Sequence, residues 1–172
     1  MSALQMTIES PVGDLLLTAR DEGLTGVWFE EHRRGRPDPQ ASLLTDSSTG
    51  DAAETLRATA RQLAEYFAGD RSQFSIPLAA QGTPFQLQVW NALRGIPFGD
   101  AISYAELAAR LGKPKAIRAV GGANARNPLS ILVPCHRVIG AGGALTGFGG
   151  GMERKRWLLE HEGALAPAIA GV

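Results

Sequence analysis

The sequence predicts an α+β chain in two parts. A small N-terminal α/β unit of strands plus one helix occupies residues 1–80, and a mostly helical unit with a helix-turn-helix occupies residues 81–172. Three observations predict it. Short apolar runs broken by turn residues fill the first thirty positions, helix-start signals dominate after residue 83, and the charge balance reverses between the halves. Residues 1–84 carry 7 basic and 12 acidic side chains, whereas residues 85–172 carry 10 and 5, so a formal net charge of zero conceals two halves of opposite sign.

In the first unit, Met6–Glu9, Leu15–Ala19 and Leu24–Phe29 read as strands, separated by the turn chemistry of Pro11-Val12-Gly13-Asp14 and Asp21-Glu22-Gly23. Glu31–Gly50 is polar and rich in Pro, Gly and Ser, which predicts a mobile loop whose Arg33-Arg34-Gly35-Arg36 cluster is solvated. Asp51 and Glu54 form a capping-box pattern. The helix they open sets Leu56, Ala60, Leu63 and Phe67 on one stripe and stops at Gly69. Gln73–Leu78 reads as one more strand before Gly82.

In the second unit, Thr83 is a good N-cap with Pro84 at the first helical position, and Phe85, Val89 and Leu93 share a face up to Gly95. Ser103 and Glu106 cap a short helix over Tyr104–Leu111 that Gly112 ends, and Pro114 is placed to begin a second helix reaching Asn124. Two short helices across a Gly-containing turn are the helix-turn-helix pattern. Ala119-Val120-Gly121-Gly122-Ala123 is unusually small, which suits either close helix packing or close approach to a nucleic-acid groove. Arg110, Lys113, Lys115, Arg118, Arg126 and Arg137 fall in an acid-free stretch, either an ordinary solvated face or the footprint a polyanion needs.

The 172 residues, 44% of them hydrophobic, suffice for an ordinary core. No run approaches the roughly 18 apolar residues of a membrane span, and Met1–Thr7 lacks the basic flank and apolar stretch of a signal peptide. One cysteine excludes an internal disulfide and a multi-Cys zinc site, and His32, His136 and His161 show no metal-ligand spacing. The expectation is a cytoplasmic protein with no metal, no cofactor and no membrane partner.

The apolar triplet Ile131-Leu132-Val133 reads as a short buried strand that Pro134 ends, which puts Cys135 at a strand end or turn, held yet reachable. A lone cysteine is ordinarily a small buried hydrophobe. Here His136 and Arg137 follow directly, and positive charge nearby favours thiolate. Neighbours on an extended strand point to opposite faces, so cooperation between Cys135 and His136 needs a turn or a bridging water.

Pro134-Cys135-His136-Arg137-Val138 resembles the active-site signature of the O6-alkylguanine-DNA alkyltransferases, or methylated-DNA–protein-cysteine methyltransferases. Phe98-Gly99, Ile102-Ser103-Tyr104, Leu107-Ala108, Lys115-Ala116, Arg118 to Ala123, Asn127-Pro128 and Trp157-Leu158-Leu159 fit the same pattern in order and spacing, across roughly residues 83–163. The N-terminal half is similar to the family's variable domain only in general layout.

The resemblance implies direct-reversal DNA repair. The helix-turn-helix would enter the minor groove of double-stranded DNA containing O6-alkylguanine, and the damaged base would swing into a pocket. Arg118 would fill the vacated stack, Tyr104 would hydrogen-bond the flipped base, and Lys115 and Val138 belong to the matched DNA- and substrate-binding set. Cys135 would take the alkyl group in one irreversible turnover, with His136 as general base through a water and Glu162 orienting that histidine. Asn127 would tie the turn before the active-site segment to the DNA-binding motif. Where the family usually has Tyr and a small residue, this chain has Phe148-Gly149-Gly150: Phe148 lacks the hydroxyl, and Gly149 still offers a backbone N–H to the guanine oxygen.

A monomer in solution, with the option of cooperative clustering on DNA, is expected. Alkyl-size preference and repair of O4-alkylthymine are left open. The main alternative is a non-catalytic lesion-binding relative that signals to other repair pathways; such proteins replace the cysteine that this chain keeps. A transcription regulator would want base-specific contacts and a dimer interface, and a cysteine hydrolase an oxyanion hole, none of which is visible.

Overall fold

The computed structural model describes residues 3–30, 40–146, 148 and 150–165. β1 (Leu4–Ile8), β2 (Leu15–Arg20) and β3 (Gly23–Phe29) form an antiparallel meander, and β4 (Ser42–Leu43) adds to the outer edge of β1 in parallel, giving the order β3-β2-β1-β4. Gly23 makes the β2–β3 turn at φ +147°, and a Cβ there would stand 2.6 Å from the Pro77 carbonyl oxygen, so the position admits only glycine. Leu15 and Leu17 of β2 and Leu24 and Val27 of β3 are fully buried under α1 (Asp51–Phe67), each such burial stabilising by about 1.5–3 kcal/mol.

α1 departs from its expected start. Gly50 (φ +97°) is the N-cap and Asp51 already lies in the first turn, so no side-chain capping box forms. Its buried stripe is also rotated: Leu56, Thr59, Leu63 and Tyr66 have no exposed surface, whereas Ala60 and Phe67 are only half-buried. Gln73–Leu78 is not a strand. It touches the sheet through a single bridge, Leu24 donating to the Pro77 carbonyl and Ala79 to that of Leu24. Pro77 has no N–H, which helps to keep this segment from building a longer ladder.

The second unit begins where its caps place it. α2 (Pro84–Leu93) opens with a complete capping box between Thr83 and Gln86. The two-residue β5 (Ile102–Ser103) leads into α3 (Tyr104–Arg110), whose N-cap Ser103 accepts from the Glu106 N–H. α4 (Ile117–Ala125) starts three residues later than Pro114 predicts, since Pro114–Ala116 form a turn. α2 packs across both helices, and its Trp90 donates to the Ala123 carbonyl at 2.8 Å. β6 (Val138–Ile139) pairs in parallel with β5, and α5 (Met152–His161) closes the chain's described part.

Ile131-Leu132-Val133 is a turn rather than a strand. Ile131 adopts φ +74°, a region a β-branched side chain occupies only at a penalty of about 1–3 kcal/mol. Asn127 holds the turn at both ends, accepting from Leu129 N–H at 2.9 Å and donating to the Val133 carbonyl at 2.8 Å. A bridge from Val27 N–H to the Pro128 carbonyl joins this turn to the sheet, so one apolar core runs from β2 and β3 to Cys135. Among the described residues no helix is long and apolar enough to cross a membrane.

Candidate active site

Cys135, His136 and Arg137 form one turn of 3₁₀ helix rather than an extended strand, so their side chains do not alternate between opposite faces. All three are buried. The Cys135 carbonyl accepts from Asn124 at 3.2 Å, and the preceding turn is clamped by Asn127, so the thiol rides on a segment fixed from both sides.

Glu162, at the C-cap of α5, gathers the charges. Its Oε2 accepts from His136 Nε2 at 2.8 Å, from the Tyr66 hydroxyl at 2.5 Å and from Arg137 Nη2 at 3.1 Å; its Oε1 accepts from Arg137 Nε at 2.7 Å. Burial alone would raise the carboxyl pKa, but the hydrogen bonds and charges of His136 and Arg137 outweigh it and hold it at about 2. An ionised carboxylate only accepts, so His136 must carry its proton on Nε2. His136 Nδ1 is then a bare lone pair, buried and without a partner among the described residues. Burial lowers the imidazole's pKa, and the histidine is neutral near pH 7.

The nearby positive charge does not produce a resting thiolate. Burial pushes the Cys135 thiol up to about 11, with the Asn127 hydrogen bond and the Lys155 charge offsetting only part of it. Arg137, expected on the basic face, is instead buried and neutralised by Glu162, its Nη1 donating to the Ile96 carbonyl at 2.6 Å. A thiol held protonated in this way ionises only with a base to take its proton, and the next residue carries an Nδ1 without a partner among the described residues.

Lys155 is the residue the sequence reading missed. It has no exposed surface; its ammonium donates to the Thr146 carbonyl at 2.7 Å and lies 5.7 Å from the centre of the Tyr104 ring. Burial pulls its pKa down to about 8, while the neighbouring Cys135 draws it up. The signal was available: Lys155, Leu158, Leu159 and Glu162 recur at three- and four-residue spacing, so a lysine falls on the apolar stripe of α5. Tyr104, at the start of α3, donates its hydroxyl to the same Thr146 carbonyl, and burial raises its pKa. Val138 is buried in β6, paired with Ile102 of β5.

The other expected positions lie elsewhere. Lys115 and Arg118 are exposed, before and in the first turn of α4. A Cβ at Gly122 would meet nothing within 4 Å and one at Gly121 only ordinary contact with Tyr104, so close intramolecular packing does not require these glycines. With Ile117, Arg118 and Ala119 exposed, α4 offers a smooth, basic-edged outer face. Phe148 is buried against Phe29 of β3, ring centres 5.6 Å apart, and a Cβ on Gly150 would stand 2.4 Å from the Phe29 ring. Gly149 lies outside the described residues.

Comparison with known proteins agrees with this layout. Residues 4–80 match the ribonuclease-like domain, and residues 84–164 the DNA binding domain, of 6-O-methylguanine DNA methyltransferase. The chain is 46% identical over 156 residues to a methylated-DNA–protein-cysteine methyltransferase of Methanosarcina acetivorans, covering 91% of this chain and 96% of that one. It is 44% identical to the protein of the same name from Salmonella typhimurium, covering 94% and 96%. The crystal structure of Mycobacterium tuberculosis O6-methylguanine methyltransferase superposes with a TM-score of 0.80 at 43% identity, covering 97% of this chain and 96% of that one. A structure of the Mycobacterium tuberculosis protein OGT in complex with DNA gives 0.80 at 43% identity, covering 98% and 96%.

Proposed function

The chain belongs to the 6-O-methylguanine DNA methyltransferase family, and from that premise we propose that Cys135 is its alkyl acceptor and O6-alkylguanine in duplex DNA its substrate. The protein is a DNA-binding methyltransferase of direct-reversal repair. The observation that carries the residue assignment is the bare, buried Nδ1 of His136, the residue next in the chain to a thiol that burial keeps protonated.

The chemistry follows from that pair. His136 Nδ1 takes the thiol proton through one water, and Glu162 stabilises the imidazolium that forms. The Sγ lone pair attacks the alkyl carbon, an S–C bond forms, and the C–O bond to guanine breaks. Guanine leaves with its electron pair and takes up one proton, balancing the one the thiol lost. Tyr104 is the proposed hydrogen-bond partner of the extruded base, and Lys155 stabilises the thiolate while it exists. A thioether has no easy hydrolytic exit, so each molecule acts once. Asn127 supports the reading as the clamp that presents Cys135.

The experiment is a titration of duplex DNA carrying one O6-methylguanine, reading restored guanine. Restoration should plateau at one guanine per protein, and Cys135→Ser should restore none while still binding. Repeated turnover, or full activity in the serine variant, would contradict it; binding without any restoration would leave a lesion-recognition protein.

The outer face of α4 supports groove binding, with Arg118 filling the space the base leaves. Arg118→Ala should slow repair in duplex DNA by about tenfold or more while leaving reaction with free O6-benzylguanine unchanged. Equal losses on both substrates would remove Arg118 from that role. Gly122→Leu should leave thermal stability intact, because a Cβ there meets nothing within 4 Å and leucine is the better helix former, yet weaken DNA binding.

A further inference from the structure

We propose that Tyr66 is a positioning residue of the transfer reaction: from α1 of the sheet unit, its hydroxyl donates to the Glu162 oxygen that holds His136, and so sets how strongly that carboxylate grips the imidazole. The proposal rests on the reading of His136 as the base. Tyr66 stands 96 residues before Glu162 in the chain and is fully buried. Its ring is caged by Phe74 at 5.6 Å, Phe98 at 6.2 Å and His161 at 5.0 Å between ring centres, and His161 donates to its backbone carbonyl at 2.8 Å. That cage leaves the hydroxyl aimed at one acceptor.

Core packing does not account for the hydroxyl. A phenylalanine would fill the same aromatic cage, and a buried hydroxyl is tolerated only where it is hydrogen-bonded. Glu162 does not need it for satisfaction either, since Arg137 and His136 already supply three donors. Among the described residues the distribution is uneven: Oε1 receives Arg137 alone, whereas Oε2 is shared among Tyr66, His136 and Arg137. A donor on Oε2 draws charge from the atom that binds His136, weakening its pull on the imidazolium and keeping Nδ1 a neutral acceptor. Tyr66 itself stays protonated, because burial and the adjacent carboxylate raise its pKa well above the ordinary phenol value. The other groups acting on His136 are Glu162, Arg137 and Lys155, and none can replace a neutral donor at this oxygen.

The test is Tyr66→Phe, read in two ways. The His136 imidazole, followed by NMR titration, should shift upward by about half a pH unit. The acid limb of single-turnover methyl transfer from O6-methylguanine duplex DNA should move the same way, lowering the rate on that limb by up to about threefold, with the rate at neutral pH little changed and DNA affinity unchanged. Phe74→Leu, which loosens the cage but keeps the hydroxyl, should leave the His136 titration in place. A wild-type His136 titration and pH profile in Tyr66→Phe would overturn the proposal, as would an equal shift in Phe74→Leu. Should the wild-type protein transfer no methyl group, the functional reading fails, and the NMR titration still decides whether Tyr66 tunes the Glu162–His136 pair.

Discussion

Glu162→Ala is expected to destabilise the fold by about 3–5 kcal/mol, because it leaves the Arg137 guanidinium buried without its counter-charge. His136 and Tyr66 lose a partner in the same step. Chemical denaturation reads the loss directly. The pH dependence has a definite sign: with a folded pKa of about 2 against an ordinary 4.5, this carboxyl stabilises fully above pH 4.5. That contribution is lost as the pH falls through 4.5 and on through 2. Glu162→Gln, which keeps the shape and removes the charge, should flatten that part of the acid unfolding curve. It should also slow methyl transfer by about 100-fold with DNA binding retained, since the amide no longer stabilises the imidazolium. Wild-type transfer in the glutamine variant would take Glu162 out of the proton path and leave it a structural hub.

Lys155→Met separates stability from chemistry. A buried cation replaced by an apolar side chain of similar length is often neutral or stabilising, and the Thr146 carbonyl keeps the Tyr104 hydroxyl as its donor. The melting temperature should therefore hold or rise. Transfer should nonetheless fall by about one to two orders of magnitude at neutral pH, because the Cys135 thiol, already raised to about 11 by burial, loses a cation that favours its ionised form. Single-turnover kinetics beside a thermal melt checks both halves. A stable variant with unchanged transfer would mean that Lys155 anchors the loop around Thr146 and does nothing for the thiol.

Where local signals are strong, sequence and structure agree. Thr83-Pro84 starts α2 and Ser103 caps α3 because capping depends on a few adjacent atoms. The group around Cys135 was legible through the resemblance: Asn127, His136 and Glu162 all converge on the 3₁₀ turn or its partners. The failures share a physical cause. Ile131-Leu132-Val133 and Gln73–Leu78 are short apolar runs whose conformation is decided by contacts elsewhere, the first by the Asn127 clamp and the second by a single bridge to Leu24. Asp51 matched a cap pattern, yet Gly50 with its positive φ already supplied the entry into α1. Arg137, Lys155 and Tyr66 carry side chains that ordinarily reach water or pack as rings. Their burial becomes visible only when Glu162, distant in the chain from Arg137 and Tyr66, and Thr146 are brought beside them.

Intact-protein mass spectrometry after incubation with excess duplex DNA containing O6-methylguanine, with Cys135→Ser alongside, tests the assignment of Cys135 most directly. The wild-type protein should gain the mass of one methyl group and no more, located by peptide mapping to Cys135, and the serine variant should gain none. A methyl group on another residue, more than one per chain, or no mass change despite binding would contradict irreversible transfer to Cys135.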